Sequence, residues 1–438
     1  MQLNKSAVGE DIYELARRLY PINRSITGEG NRQTLGIIKE IIPSLEIKEI
    51  KSGSQCFDWT IPPEWDVKAA WVRDSKSNII IDFANHNLHL VGYSMPVDEV
   101  LSYDELQARL FSREDMPDAI PYITSYYKES WGFCISHNDR LKLDPNESYH
   151  VYIDSSFNKD GSLIYGELII PGKSEKEIFI SSYICHPSIA NNELSGPCLL
   201  TYIAKAIIEM PNRYYTYRVI LIPETIGAIA YLSENINAMK SNIYAGFNLT
   251  CVGDNRSFSF MPSRNGDTIV DRMSRHVLSY LQPEYVPFTY LQRGSDERQY
   301  CSAGVDLPVV SIMRTKYAEF PEYHTSKDDL TVISPNGFAG SFEIHMAVLE
   351  AIERNHYPVS KVLCEPQMGR RGLRPERGVS NKISSTSKLL SNIMAYSDGK
   401  ITLLEMAEIF NIPIWELYQP IDTLIDHNLI QLDNYASF

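Results

Sequence analysis

None of the seven cysteines stands in a CxxC pair. Cys56, Cys134, Cys185, Cys198, Cys251, Cys301 and Cys364 are scattered and odd in number, so neither a disulfide framework nor a thiolate zinc site is signalled, and buried thiols are expected. Basic residues are scarce, 41 Lys and Arg against 55 Asp and Glu, for a net charge of −14. Nucleic acids and anionic membranes recruit proteins through a positive field, so neither is expected as a partner. Also missing is any window near the roughly 18 uninterrupted apolar residues of a membrane span. The opening MQLNKSAVGEDIYELARRLY has no apolar stretch after its charges of the kind that marks a secretory signal, and a cytoplasmic location is expected. What is there is a chain of 438 residues, 44% of them hydrophobic. That is enough for a sizeable core and one or two smaller modules, with peptides or aminoacylated small molecules as the expected partners.

Residues 9–21 carry Ile12, Leu15, Leu19 and Tyr20 at helical spacing and stop at Pro21, which cannot continue a helix interior. Arg24 to Gly30 reads as a polar loop, a candidate cleft wall, before a second amphipathic helix with Leu35, Ile38 and Ile42. From Asp58 to Glu147 short Trp-, Tyr- and Val-rich segments alternate with turn residues, the pattern of a small β-rich insert. Apolar runs at VYIDSSF, SLIYGELIIPG, KEIFISSYI, YRVILIPE, YAGFNLTCV and PVVSIM then alternate with helical stretches. That order predicts an α/β fold, a mainly parallel mixed sheet with helices on both faces. The domain boundaries expected are 1–57 with 148–357 for the α/β domain, 58–147 for the insert, 358–381 for a Gly/Arg/Pro linker and 382–438 for a tail. SKLLSNIMAYS, TLLEMAEIF and IWELYQPIDTLIDHNLI read as three helices and QLDNYASF as a hairpin, a winged-helix order. Its acidic balance points to packing or dimerisation rather than DNA, and a homo-oligomer through the tail or the insert is compatible with it.

Ligands of open α/β sheets bind beyond the carboxyl ends of the strands. There the sequence puts Cys185 and His186, then Glu224 and Thr225, and finally His324. Imidazoles hold zinc at neutral pH, and a free carboxylate accepts a proton from water as the water attacks a carbonyl. Asp296, Glu297 and Arg298 share one loop. The acids suit an ammonium terminus, while Arg298 suits a carboxylate. Asp254, Asp328 and Asp329 are candidates to orient a ligand histidine through its second nitrogen. Arg24 and Gly28 are candidates for the cleft edge. His86, His89 and His137 read as structural, and Tyr126, Tyr127, Trp131 and Phe133 as core or as a cover on the cleft. Ser195 and Cys185 flank the site, but neither sits in a GxSxG elbow, and Ser195-Gly196 fits a tight helix start close to the sheet.

The order His186, Asn192-Glu193-Leu194-Ser195-Gly196, Glu224-Thr225, Asn248-Leu249-Thr250, Ser295-Asp296 and His324-Thr325 resembles the zinc exopeptidase fold of bacterial aminopeptidases and glutamate carboxypeptidases. RSITGEG, FDWTIPPEW, NLHLVGYSMP, PYITSYY, WGFC, ICHPSIAN, PETIGAIAYLS, GSDERQY and EYHTSKDD are similar to phrases of aminopeptidase-like bacterial proteins with an inserted β-rich domain and a winged-helix tail. The resemblance implies metal ligands at His186, Asn192 and His324 and a general base at Glu224. Three of the five ligand positions depart from it: Asn192, Thr225 and Thr250 stand where carboxylates are expected. An amide cannot bridge two ions as a carboxylate does, so the resemblance implies one zinc ion or none. Glu193, one residue along, is a replacement ligand if its backbone aims it at the ion, and Glu224 is either base or ligand.

Two functions follow. One is a metal-dependent hydrolase that removes an N-terminal residue or aminoacyl group from a peptide or small conjugate, with Glu224, Asp296 and Glu297 as catalytic groups, Arg298 and Arg24 binding substrate, and His186, Asn192, Glu193 and His324 at the metal. The other is a degenerate, non-hydrolytic binding or scaffold protein of the same fold.

Overall fold

A computed structural model describes residues 5–373, 385–434 and 436. The chain divides into two compact units, Met1–Asp271 with Glu284–His345, and Arg272–Pro283 with Met346–Phe438.

The first unit is built on an eight-stranded mixed sheet. Its spatial order is Glu46–Lys51, Ser162–Ile170, Thr216–Ile222, Glu177–Tyr183, Ile243–Leu249, Val309–Met313, Ser259–Met261 and Val286–Pro287. The four central strands, Thr216–Ile222 to Val309–Met313, run parallel, and antiparallel pairs flank them. Every residue of Glu177–Tyr183 is buried, as expected of a strand covered on both faces, which is why it reads as a continuous apolar run. The chain leaves this strand through helix Ser195–Glu209 to the neighbour on one side, Thr216–Ile222. It then passes through helix Ile226–Asn242 to the neighbour on the other side, Ile243–Leu249. Right-handed crossovers in opposite directions put the two helices on opposite faces. They also create a switch point, with a crevice at the carboxyl ends of these strands.

A second sheet, antiparallel throughout, has the order Ile79–Asp82, Glu64–Arg73, Ser148–Asn158 and Val97–Ser102. Its long central partner Ser148–Asn158 begins just past the segment read as the insert. That strand buries Tyr149, Val151 and Ile153 on one face, the alternation of a sheet with one solvated side. The segment that follows Val97–Ser102 reaches the crevice: the Tyr122 N–H donates to the His324 carbonyl at 2.9 Å, and Pro121 bridges to Thr325.

The second unit contains helices Ser385–Tyr396, Leu403–Phe410 and Tyr418–Asp426. Strand Ile430–Asp433, at the start of the expected hairpin, pairs instead with Tyr357–Ser360, at the boundary of the α/β domain and the segment read as a linker. Positions 374–381 of that linker, and the expected start of the tail at 382–384, lie outside the described residues. All seven cysteines are free, and only Cys364 is exposed.

Candidate active site

Three strand ends and one loop converge at the switch point. Glu177–Tyr183 leads into Cys185 and His186, Thr216–Ile222 into Glu224 and Thr225, and Ile243–Leu249 into Thr250, while His324 arrives from the loop after Val309–Met313. His186, Glu224, Arg298 and His324 line one cleft of about 330 Å³, together with Tyr122 and Tyr126. The His186 and His324 ring centroids lie 5.5 Å apart, and Tyr122 packs against both, at 4.8 Å and 5.2 Å. Tyr323 stacks on His324 at 3.9 Å.

Burial keeps both imidazoles neutral. It pushes His324 down to about 4 and lowers His186 well below its ordinary value, with His324 and Arg24 adding to the effect. His186 Nδ1 is 3.4 Å from the Cys185 thiol, which burial keeps protonated. His186 Nε2 lies 3.9 Å from Oε2 of Glu224. Burial raises Glu224 to about 7, against the opposing pull of Arg298.

Glu224 is carried by a strained turn. Thr225 has φ 63° and ψ −80°, and the Ile226 N–H closes back on the Glu224 carbonyl at 2.8 Å, the rare form of the γ-turn. Two side chains of the GSDERQY loop hold it. Asp296 Oδ1 accepts the Thr225 N–H at 2.8 Å, and Arg298 Nη2 donates to Thr225 Oγ1 at 2.6 Å.

Several residues singled out in the sequence serve other ends. Glu193 does not face the histidines as a ligand. It pairs with Arg24 at 3.2 Å with both side chains fully buried, and it accepts the His186 N–H at 2.9 Å. Arg24, expected at the cleft edge, is therefore interior, and its second bond goes to the Leu19 carbonyl at 2.6 Å. A Cβ at Gly28 would stand 2.4 Å from the Trp65 carbonyl oxygen, and this glycine does not line the cleft. Asp296 and Glu297 are buried and contribute nothing to the cleft wall, which corrects the expectation that they meet a substrate. Glu297 accepts from the Gly294 and Ser295 N–H groups, Tyr317 and Asn248, so it braces its own loop. Asp328 takes the Asn191 and Asn192 N–H groups at 2.7 and 2.9 Å, and Asp254 takes the Asn191 side chain at 3.0 Å. Both acids therefore support the wide turn Ala190–Leu194 rather than a histidine. In the insert, His86 caps Leu88, His89 bonds the Cys134 carbonyl and His137 bonds Ser112. Phe133 is core, while Tyr126 and Tyr127 line the cleft.

Among the described residues, no three His, Cys, Asp or Glu side chains are grouped to hold a metal ion. At the third ligand position that the resemblance implies stands an amide, Asn192. Asn192 Nδ2 donates to the Tyr183 hydroxyl at 3.0 Å, and Tyr183 in turn packs on His186 at 5.5 Å. Asn192 Oδ1 is left buried and without a partner, a state that costs roughly 1–3 kcal/mol unless an electrophile meets it. Two neutral imidazoles and an unsatisfied amide oxygen are donor types that suit one divalent cation. They do not fit a pair, because the hydroxyls of Thr225 and Thr250, at the other ligand positions, are engaged with Arg298 and with Tyr183 and Asn192.

Tyr122, Tyr183 and Trp59 were not singled out in the sequence. Their aromatic character gives no local sign that folding brings them to the histidines.

Comparison with known proteins follows the same lines. A family model described as a domain of unknown function (DUF4910) matches residues 13–355, and a winged helix-turn-helix model matches residues 355–432. A Clostridium acetobutylicum protein named for polysaccharide biosynthesis and an aminopeptidase-like domain is 44% identical over 405 residues, 92% of each chain. A crystal structure from Clostridium acetobutylicum of a protein named as a peptidase is 41% identical, covers 98% of both chains and gives a TM-score of 0.91. A zinc aminopeptidase of Bacillus subtilis is 13% identical over 78% of this chain and 94% of its own, with a TM-score of 0.57, a likeness of fold.

Proposed function

We propose that this chain, which belongs to the DUF4910 family and shares its fold with zinc aminopeptidases, hydrolyses an amide bond in a peptide or a small aminoacyl or acyl conjugate. The observation that carries the reading is the convergence of His186, His324 and Glu224 on one aromatic-walled cleft. His186, His324 and Asn192 would hold a single divalent cation there. Such an ion supplies Lewis-acid polarisation of a carbonyl.

Glu224 supplies the proton transfers. Its carboxylate accepts a proton from water as the water oxygen bonds to the carbonyl carbon. When the carbon–nitrogen bond breaks, the same carboxyl returns a proton to the departing nitrogen, so that one water is consumed and an acid and an amine are formed. The pinned γ-turn at Thr225 holds that carboxylate at the cleft wall, and the packing of Tyr122 on both imidazoles limits the water around them. The name of the Clostridium acetobutylicum relative, with its reference to polysaccharide biosynthesis, adds acylated sugar conjugates to the substrates worth testing.

A second reading has a specific observation behind it. Asn192, Thr225 and Thr250 at ligand positions favour a protein that binds in this cleft without hydrolysis. Turnover of a panel of aminoacyl and acyl amides by the wild-type chain and by Glu224→Gln separates the two. Hydrolysis that falls by roughly 10²- to 10⁴-fold in the variant, with the circular dichroism spectrum unchanged, supports the hydrolase. Turnover that survives the substitution contradicts the role of Glu224, and a wild-type chain inert on the whole panel favours the binding protein.

A further inference from the structure

Of the residues that wall the cleft, Glu224 is the one carboxyl and Arg298 the one permanent cation. An aminopeptidase-type substrate presents an ammonium group, which needs an acidic partner. The two acids beside Arg298 are unavailable for that. Asp296 is 0% exposed and Glu297 is 1% exposed; Asp296 Oδ1 takes the Thr225 N–H while its Oδ2 is enclosed without a partner, and Glu297 serves Asn248 and Tyr317. An ammonium entering the cleft would meet the Arg298 cation and find only Glu224, the group assigned to proton transfer.

We propose that the cleft selects a substrate bearing a carboxylate, bound by Arg298, with its apolar or ring portion against Trp59 and Tyr127. This rests on the hydrolytic reading above and names its substrate class. Arg298 is exposed, and one of its five N–H donors goes to Thr225 at 2.6 Å, which orients the planar fork and leaves donors for a ligand. A guanidinium so held matches a carboxylate by two parallel hydrogen bonds. Trp59 and Tyr127 pack edge to face at 5.4 Å. They remain 38% and 55% exposed on the same cleft, giving an apolar corner for an amino-acid side chain or the face of a sugar ring. The reacting amide is then an N-acyl group on an acid, rather than the first peptide bond after a free amine.

Binding to the full-length chain, measured by isothermal titration calorimetry, tests this without reliance on turnover. One set of ligands is N-acetyl-L-phenylalanine, its primary amide, and L-phenylalanine amide, which carries the ammonium. Glucuronate against glucose is a second pair, and the pair that shows the preference names the source of the carboxylate. The wild-type chain is expected to favour the carboxylate over its neutral partner by about tenfold or more in at least one pair. The ratio should fall to near one in Arg298→Gln and only partly in Thr225→Val, which loses the bond that orients the guanidinium but keeps its charge and donors. The proposal is overturned by a ratio near one for both pairs, by tighter binding of the ammonium ligand, by a preference that survives Arg298→Gln, or by one lost equally in Thr225→Val. Carboxylate selectivity in a chain that hydrolyses no amide would sink the hydrolytic reading and leave this recognition standing.

Discussion

Glu193 shows how a buried carboxylate is committed by its partners. Burial raises its carboxyl to about 7, while Arg24 and the backbone N–H groups of Cys185 and His186 pull it the other way. An acid held by that many donors is a strut under the His186 backbone. Removing it strands the Arg24 guanidinium in the interior, and an uncompensated buried charge is among the costlier single defects. Glu193→Ala is therefore expected to lower stability by on the order of 3 kcal/mol, read as a fall in the urea midpoint. A variant within about 0.5 kcal/mol of wild type would mean that the pair bears no load. That His186, Glu224 and His324 come to one cleft was legible in the sequence, because each follows an apolar strand or its loop. The fate of Glu193 was not, because its partner Arg24 stands 169 positions away and nothing local announces the pairing.

Among the secondary elements, strain and close packing gather at the strand ends. Ser188, Thr225, Cys251 and His324 all have positive φ without being glycine; Thr225 and His324 line the cleft, Ser188 closely follows His186, and Cys251 follows the end of Ile243–Leu249. Such backbone persists only where the surroundings hold it, as Asp296 and Arg298 hold Thr225. The start of helix Ser195–Glu209 is a different constraint. A Cβ at Gly196 would stand 2.3 Å from Ser182 Oγ and 2.4 Å from the Leu249 carbonyl oxygen, so the helix can approach the sheet only with glycine there. Gly196→Ala should cost about 1–3 kcal/mol, seen as a lower denaturation midpoint at unchanged slope. An unshifted midpoint would show that the sheet yields. The Ser195-Gly196 step was readable as a tight helix start, whereas the γ-turn at Thr225 was not, since a β-branched residue is a poor candidate for positive φ.

For the whole molecule, the alternation of apolar runs and helical stretches carried the α/β architecture, and the Trp- and Tyr-rich region carried the second sheet. What escaped was non-local: the second sheet is completed by Ser148–Asn158, and Tyr357–Ser360 pairs with Ile430–Asp433, partners that no neighbouring residue points to. The cleft wall is non-local in the same way, drawing Trp59, Tyr122 and Tyr127 from segments far in sequence from the histidines. Against a net charge of −14, a cleft walled by one arginine and one glutamate departs from the overall acidity, consistent with a site shaped for a particular ligand rather than for general electrostatic capture.

The central claim is that His186, His324 and Asn192 form a site for one divalent cation beside Glu224. Its most direct test is metal content by mass spectrometry, on protein purified without added metal and then equilibrated with zinc, alongside His186→Ala and Asn192→Asp. The account predicts about one zinc per chain, lost in His186→Ala and held more tightly in Asn192→Asp, where a carboxylate replaces the amide. A wild-type chain that takes up no zinc, or takes up the same amount without His186, would contradict it.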